Sequence, residues 1–586
     1  AQQLVLCDWA FTPHPLAVDA GAAEQRLLQL GITNRGELAD QLLHGLDAPA
    51  GSADRLLGAL EWAALAGAAG WLEADQARTW AHHLIRRIAS DYSDLRAWLA
   101  DLRRALGARG WEVGADDRFI DACQALADLE SDGDGITWTA LENVLTDLPA
   151  PAPLWPQLPQ AQSWRLGAMF RPVIVYPAHH TDWPEATDWL AHVWDVHDRD
   201  ALLGAILWLG AQGERQRWDI EARELLGMDN AQRMEWQRSV VQDSPYAPVL
   251  NKFVTQGEPL EWAAWDWLRM VELAWAGACC GWLNQQEADD LAGHAADLIS
   301  RRYHDWYAVL NAYGRGQSLF DGIDRRGKTP SERHQLLLHS AYSPWKCPPG
   351  ALLDEPTRQA SQARIRQWRN TAHHWLLALA SVREPDAMLR QIDPSTPLSE
   401  AQRADAAMYL QDSLGLHADE GSHALARYWL PAQAHHLNQL AADAVHGVLP
   451  PSQSWFGQPT PEELKQRNAV KGVSRHAATI HMAEKFAFYL HMSLDSGLLD
   501  REPLLDYANA LRSCLCRFYP NAKRLLEAWF AWEGCLPEPE HASLINEIIW
   551  HIEDPGSLFH WLDWRHDAWR EPGSRPTLNH FTAMSL

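Results

Sequence analysis

The sequence lacks any Cys-x-x-Cys pair, and its eight cysteines are spread through 586 residues. Several of them lie inside apolar stretches, so we expect reduced core thiols and no disulfide framework. No uninterrupted apolar run reaches the roughly 18 residues that a membrane-spanning helix needs. The first residues lack a basic stretch followed by a long apolar stretch, which predicts no cleaved signal peptide and a cytoplasmic protein.

Basic residues are also scarce. Lysine and arginine together number 50 against 76 acidic residues, which gives a formal net charge of −26. A surface of this charge repels nucleic-acid phosphates and anionic lipid headgroups. We therefore expect neither nucleic acid nor a membrane as the partner, which leaves other proteins as the expected partners.

The common catalytic and phosphate-binding signatures are missing. The sequence has no Gly-x-Gly-x-x-Gly fingerprint, no P-loop and no Gly-x-Ser-x-Gly elbow. Residues 325–334 contain Gly-Lys-Thr, but they lack the earlier glycine and the preceding strand that a phosphate-binding loop requires. We interpret this segment as a solvated basic loop and predict no bound cofactor.

Metal-ligand patterns are incomplete as well. Two zinc ligands on one helix usually stand four positions apart, whereas His192 and His197, like His476 and His481, stand five apart. The acidic run at 128–135 resembles a calcium-binding loop, but neither register supplies a glutamate at position twelve. We therefore predict no metal site and interpret the run as a turn rich in glycine and aspartate.

What the chain does contain is an internal repeat. A glycine, then Trp or Leu, then Leu, is followed nineteen residues later by a tyrosine. The three copies are Gly70-Trp71-Leu72 with Tyr92, Gly281-Trp282-Leu283 with Tyr303, and Gly497-Leu498-Leu499 with Tyr519. A fixed internal period is typical of a structural unit that is used repeatedly.

The segment between each glycine and its tyrosine has helical periodicity. Apolar residues recur at intervals of four, three, four and four, which is one stripe of an α-helix. The three stripes are Ala77, Ala81, Leu84, Ile88 and Tyr92; Ala288, Ala292, Ala295, Ile299 and Tyr303; and Leu504, Ala508, Leu511, Leu515 and Tyr519. The glycine suits a left-handed residue that ends the preceding helix, so each copy predicts a helical hairpin.

Capping signals support the start of this helix in two copies. Asn284 followed by Glu287 resembles a capping box, and Asp500 is placed to cap the third copy. The 32 tryptophans are interpreted mainly as core residues, because many follow helical spacing with other apolar side chains.

We predict a mainly α protein of three diverged tandem helical modules at residues 1–160, 161–350 and 351–586, with few or no strands. The proline-rich run at 149–159 predicts a linker between the first two modules. Each module closes with a segment that contains proline and tryptophan, the last of them from Asp554 to Trp564. The best candidate for a strand is 170–176.

The middle module resembles the bacterial family called domain of unknown function 1266. The residues that carry this resemblance span 218–345. They are Trp218-Asp219-Ile220, Trp265-Asp266 with Arg269, Gly281-Trp282, Tyr303 and Trp306, Gly314-Arg315, and Ser343-Pro344-Trp345. The resemblance implies a bacterial, largely helical protein and supplies no established activity.

Three polar residues of the middle module are the candidate site. Asp266 and Arg269 are three positions apart on one predicted helical face and can pair, and Arg315 offers a guanidinium for bidentate contacts. The functional interpretation is an acid–base or anion-binding site, and the alternative is a structural ion pair that locks the hairpin. The first copy has Arg55 and Gly58 at the places of Asp266 and Arg269.

Two functions remain open at this point. The first is a helical protein-interaction, scaffold or accessory module, which fits the repeat, the tryptophans and the lack of a complete catalytic motif. The alternative is an enzyme with its site around Asp266, Arg269 and Arg315.

Overall fold

The computed structural model describes residues 19–94, 97–98, 100–102, 104–105, 150–171, 175, 183–240, 244–325, 331–385, 400–414, 477–533 and 541–564. These residues form α-helices, short 3-10 helices and connecting turns, and no strand is found among them. The predicted mainly α class is therefore confirmed. None of the described helices is long and apolar enough to cross a bilayer.

Four helices form the first part of the fold: α1 (Ala20–Gln29), α2 (Arg35–Leu46), α3 (Ala53–Ala68) and α4 (Ala74–Asp91). The middle part contains α5 (Pro159–Gln162), α6 (Ala186–Trp194), α7 (Arg199–Ala211), α8 (Arg215–Gly227), α9 (Asn230–Val240), α10 (Ala247–Thr255), α11 (Ala263–Cys279), α12 (Gln285–Arg302), α13 (Trp306–Asp321) and α14 (Glu332–His339). The last part contains α15 (Glu355–Arg369), α16 (Ala372–Ala380), α17 (Glu400–Leu414), α18 (Ala477–Asp495), α19 (Arg501–Phe518), α20 (Ala522–Glu533) and α21 (His541–Glu553). Short 3-10 helices lie at Ser163–Met169, Pro344–Lys346, Pro349–Ala351 and Leu558–His560.

The repeat corresponds to three helical hairpins, α3–α4, α11–α12 and α18–α19. Gly70, Gly281 and Gly497 end the first helix of each hairpin with φ values of +74°, +72° and +78°. This left-handed conformation is unfavourable for a residue with a Cβ atom, which explains why glycine is retained in all three copies. The two helices of each hairpin pack against one another.

The second helix of each hairpin is 18 residues long and ends at the repeat tyrosine. The predicted apolar stripes are buried in all three copies. The capping box of Asn284 and Glu287 is present, with both reciprocal hydrogen bonds formed. Asp500 occupies the N-cap position, but its side chain makes no capping hydrogen bond, so that detail of the prediction was wrong.

In the first two copies, the repeat tyrosine and an acidic residue form a hydrogen-bonded pair, and one member of the pair accepts a hydrogen bond from an N–H group at the start of the hairpin. The Tyr303 hydroxyl donates to Glu261 and accepts a hydrogen bond from the Ala264 N–H at the start of α11. In the first hairpin the Tyr92 hydroxyl donates to Asp101, which accepts from the Ala53 N–H at the start of α3. Both arrangements satisfy helix N–H groups that have no partner within the helix.

Helix α11 lies at the centre of the middle part and contacts α6, α7, α12 and α13. Its residues are almost all buried, including Trp267 and Trp275 at 0% and 1% exposure. One apolar core runs through all three parts of the chain, and a smaller core surrounds Trp218 and Trp262. The interpretation of the tryptophans as core residues is confirmed for these positions, whereas the module boundaries stay predictions.

The proline-rich run was predicted as a linker, and its described residues pack onto the middle part. Leu154 and Trp155 are buried, and the Trp155 indole N–H donates to the carbonyl oxygen of Tyr342 at 2.7 Å. The apolar side chains within the run explain this packing, because they gain free energy when removed from water.

Helix α21 lies alongside α8, and three polar pairs join them. Gln216 donates to Glu547 at 2.5 Å, and Arg223 donates to Glu553 at 2.7 Å. Between these pairs, the Trp550 indole N–H donates to Asp219 at 2.9 Å. The partners are separated by 331, 330 and 331 positions, respectively, and this nearly constant offset means that the two helices run in the same direction.

Some sequence predictions concern residues beyond the described ranges. The acidic run at 128–135, residues 326–330 of the basic loop, His179, His180 and His476 lie there. Of the candidate strand at 170–176, only residues 170, 171 and 175 are described, and none of them lies in a strand.

Candidate functional site

Asp266 lies in the core, at 0% exposure, one turn into α11. Its carboxylate accepts hydrogen bonds from the backbone N–H groups of Glu214 and Arg215, at 3.3 and 3.0 Å. It also pairs with the Arg215 guanidinium at 3.4 Å. Burial raises the pKa of Asp266 above its ordinary value, and the charge of Arg215 opposes that shift. This environment anchors the start of α8 to α11 and favours a structural role for Asp266.

Arg215 is the fully buried centre of this network. Its five N–H donors are all used: they bond the carbonyl oxygens of Leu209 and Gly210 and the carboxylates of Asp266 and Asp554. Asp554 comes from the end of the chain, and it also accepts a hydrogen bond from Arg302 at 3.2 Å. Burial alone would raise the pKa of Asp554, but Arg215 and Arg302 outweigh this effect and hold it below its ordinary value.

Arg269 lies on another side of α11, away from this network. Its guanidinium lies 4.3 Å from the ring centre of Trp194, 4.5 Å from Trp265 and 5.3 Å from Phe320. Its Nη1 atom is buried, and no described residue accepts a hydrogen bond from it. Asp266 and Arg269 therefore share a helix, but no ion pair within 4.0 Å joins them in the described structure.

Two further charged residues accompany Arg269. Glu272 follows it on the same helical face, and burial raises the pKa of Glu272 to about 7 against the opposing charges of Arg171 and Arg269. The Arg171 guanidinium lies 4.4 Å from the ring centre of Trp183. We name Arg171, Trp194, Trp265, Arg269, Glu272, Tyr313 and Phe320 the Arg269 cluster.

The Arg269 cluster reaches the protein surface. The Phe320 side chain is 49% exposed, and Arg269, Glu272, Trp194 and Tyr313 are partly exposed. A cation that lies between aromatic rings and keeps free donors is able to receive a carboxylate or a phosphate from outside.

Arg315 belongs to neither of these groups of residues. It lies on α13, and its Nη2 atom is 3.7 Å from the carboxylate of Glu258. Its Nε atom is buried without a hydrogen-bond partner among the described residues. The three candidate residues from the sequence thus occupy three different environments, and their joint role as a site stays a prediction.

A cavity of about 530 Å³ opens between the middle part and the end of the chain. Residues of α8, the end of α12 and α21 line it, and they include Asp219, Arg223, Arg301, Arg302, Trp550 and Asp554. Burial raises the pKa of Asp219 to about 7, although the nearby charge of Arg302 acts in the opposite direction. A carboxyl group with such a pKa is able to give or take a proton near neutral pH.

The structure offers no obvious metal centre within the described ranges, where no group of three or more histidine, cysteine or acidic side chains converges. His192 bonds the carbonyl oxygen of Asp188, four residues earlier in α6. His197 bonds the carboxylate of Asp195 at 2.9 Å, and both of those side chains are largely exposed. His192 and His197 thus make only local contacts within the described surface.

The middle of the chain matches a known protein-family model. Residues 189–349 match the family model described as protein of unknown function (DUF1266). This match confirms the resemblance predicted for 218–345. It includes Asp219, Asp266, Arg269 and Arg302, and it ends before Trp550 and Asp554. No curated protein and no solved structure matches the chain.

The sequence analysis missed the cavity residues as a site. Asp219 was considered only as part of the pattern that begins the middle module, and Asp554 only as the first residue of the closing segment. The available signal was the spacing of Gln216, Asp219 and Arg223, three polar residues on one face of a helix that also carries Trp218. Their partners lie more than 300 positions away, so the sequence spacing alone does not identify them.

Proposed function

We propose that the protein is a helical interaction module whose Arg269 cluster binds a segment of a partner protein. The supporting observation is the Arg269 guanidinium, which lies between aromatic rings, is partly exposed and makes no hydrogen bond or ion pair with a described residue. A carboxylate of a partner is able to approach the exposed part of this guanidinium.

The composition of the cluster fits a protein partner. Tryptophan, tyrosine and arginine are the residues that most often dominate the energy of protein interfaces. Here Trp194, Trp265 and Tyr313 surround or adjoin the arginine, and Phe320 exposes an apolar ring beside it. The bound segment would present apolar side chains next to a carboxylate.

The charges support a carboxylate as the polar group of that segment. The charges of Arg171 and Arg269 both act on Glu272, whose pKa of about 7 leaves it only partly ionised at neutral pH. The cluster therefore retains positive charge on a chain whose net charge is −26. An acidic side chain or a C-terminal carboxylate forms two parallel hydrogen bonds with a guanidinium.

This proposal gives Arg269 and Asp266 separate roles. Asp266 directs its carboxylate at Arg215 and at two backbone N–H groups, which leaves it engaged inside the core. An acid–base enzyme centred on Asp266 would need that carboxylate to face a substrate. The accessible and unsatisfied group is Arg269, and its chemistry is recognition.

The test compares the full chain with its Arg269→Ala variant as baits in a lysate of the organism that encodes it. A partner recovered in stoichiometric amounts is then purified, and its affinity for both baits is measured by titration calorimetry. We expect Arg269→Ala to weaken binding at least about tenfold, which corresponds to about 1.4 kcal/mol. Arg238→Ala is the matched control, because the Arg238 side chain is 70% exposed and pairs only with Glu235 in the same helix.

Two results contradict the proposal. One is the absence of any reproducible stoichiometric partner for the wild-type chain. The other is a purified partner that binds the Arg269→Ala variant as tightly as the wild type while both baits remain folded by circular dichroism.

A further inference from the structure

The cavity between α8, α12 and α21 is separate from the Arg269 cluster, and none of its lining residues belongs to that cluster. Its volume of about 530 Å³ falls in the range of about 300–1,000 Å³ that small-molecule sites occupy. The apolar part of the lining comes from Ala222, Leu226, Leu260, Trp550 and Pro555, and six charged side chains provide the rest. The size and the mixed lining suit a small polar molecule.

Two lining groups have unused hydrogen-bonding capacity. The Arg223 guanidinium donates through Nη2 to Glu553, but its Nη1 is buried and no described residue accepts from it. Asp219 accepts one hydrogen bond, from Trp550, and this bond uses its Oδ2 atom. Both residues line the cavity, and the Arg223 side chain is 32% exposed, so a molecule inside it would meet the exposed part of that guanidinium and the Oδ1 atom of Asp219.

The other charged groups of the cavity have partners within the protein, and Arg301 alone among the three groups described next is substantially exposed. Arg302 bonds Glu261 at 2.7 Å and Asp554 at 3.2 Å, and Asp554 is further held by Arg215. Arg301 pairs with Asp297 at 2.7 Å, and its side chain is 39% exposed. Arg301 lines the cavity and remains partly exposed, so it adds positive charge to the lining.

The cavity lining contains three arginines, Arg223, Arg301 and Arg302, and three acidic residues, Asp219, Glu553 and Asp554. Arg223 and Arg301 supply planar, permanently charged donors, which suit oxyanions better than other ligand groups. Arg223 and Arg301 pair with Glu553 and Asp297, and their side chains remain 32% and 39% exposed.

We propose that this cavity is a binding site for a small molecule bearing an oxyanion, either a phosphate or a carboxylate, held by Arg223 and Arg301. The oxyanion pairs with the exposed part of the Arg223 guanidinium, and the remainder of the molecule reaches Asp219 and the apolar wall of Leu226 and Leu260. Because Trp550 and Asp554 come from the end of the chain, the bound molecule also contacts both sides of the interface between α8 and α21.

The experiment uses the full chain and two probes, inorganic phosphate and succinate, in titration calorimetry and thermal unfolding. We expect saturable binding of at least one probe, with a rise of the unfolding midpoint as its concentration increases. Arg223→Gln should weaken that binding at least about tenfold, and Arg301→Gln should weaken it as well. Arg238→Gln is the control, because Arg238 also pairs with a glutamate but lies on the exposed face of α9.

The two probes identify the chemistry of the site. Tighter binding of phosphate assigns a phosphate-bearing ligand, and tighter binding of succinate assigns a carboxylate. The proposal is overturned when neither probe binds saturably at concentrations up to tens of millimolar. It is also overturned when both arginine variants bind the preferred probe as well as the wild type does.

Discussion

The indole N–H of Trp550 donates a hydrogen bond to the carboxylate of Asp219 at 2.9 Å, across 331 positions of sequence. This bond belongs to the row of polar pairs that holds α21 against α8. Both residues also line the cavity. The end of the chain is thus part of the structure that surrounds the region matched by the family model.

Replacement of Asp554 by asparagine is expected to destabilise the protein strongly. The change removes the negative charge that faces both Arg215 and Arg302, and Arg215 has no exposed surface. Loss of one partner of a buried ion pair typically costs about 3–5 kcal/mol. The free energy of unfolding in urea, followed by circular dichroism, measures the effect.

The control for that experiment is Glu553→Gln, one residue earlier. The Glu553 side chain is 63% exposed and pairs with Arg223 at the surface, so its loss should cost less than about 1 kcal/mol. Equal effects of the two substitutions would contradict the view that Asp554 compensates buried arginines.

Replacement of Arg269 by methionine should leave the stability unchanged or raise it by about 1 kcal/mol. The methionine retains contact with the aromatic rings and removes a buried donor that has no described partner. Differential scanning calorimetry measures the shift in the unfolding midpoint. A clear loss of stability would mean that Arg269 is primarily structural, which would weaken the proposed recognition role.

Asp219→Asn is expected to reduce the pH dependence of stability. Burial raises the pKa of Asp219 from 3.8 to about 7, so the folded protein keeps a proton that the unfolded chain releases. The contribution of this group to the free energy of unfolding is therefore fully present below about pH 4 and is lost as the pH rises to about 7. Between pH 5 and pH 8, the free energy of unfolding of the asparagine variant should therefore fall by about 1–3 kcal/mol less than that of the wild type.

Urea unfolding at both pH values tests this expectation. Asp506→Asn provides the comparison, because Asp506 lies exposed on α19. An Asp219→Asn profile that is parallel to the wild-type profile would show that Asp219 ionises normally in the folded protein.

Gly213→Ala should destabilise the protein by roughly 2–4 kcal/mol. Gly213 has a φ of +58°, and a Cβ atom there would overlap the Asp266 carboxylate and lie 2.9 Å from Nη1 of Arg215. Gly314→Ala is the matched control, since a Cβ atom at that position meets no atom within 4 Å and Gly314 lies inside α13. The control should be neutral or stabilising by about 0.5–1 kcal/mol, as measured by the same unfolding assay.

The repeat explains how much of the fold the sequence could predict. The left-handed glycine, the apolar stripe and the terminal tyrosine are local features, and local steric and apolar patterns determine a hairpin. The hydrogen bond of Tyr303 to Glu261 was not predicted, although the tyrosine was singled out, because its partner lies 42 positions earlier in the chain. Side-chain partners at that separation depend on tertiary packing.

The candidate site shows more clearly which side-chain contacts the sequence spacing does not predict. Asp266 and Arg269 stand on one helix with the spacing of an ion pair, yet Asp266 binds Arg215 and Arg269 lies among aromatic rings. A helix within a core has different neighbours on each side, and a difference of three positions places two side chains about 60° apart around the helix axis. Which neighbour each residue meets is decided by the packing of α8, α6 and α13 around α11, and the spacing on α11 contains no information about that.

The network around Arg215 has a consequence for how this protein can be divided. The family match ends at residue 349, but the ion pair that neutralises Arg215 is completed by Asp554, and the cavity wall is completed by Trp550. A fragment cut at the edge of the family match would expose two arginines, Arg215 and Arg302, that the whole chain keeps beside the Asp554 carboxylate. A fragment that keeps both arginines beside this carboxylate therefore has to contain residues 541–564 in addition to residues 189–349, joined by fusion or supplied in trans.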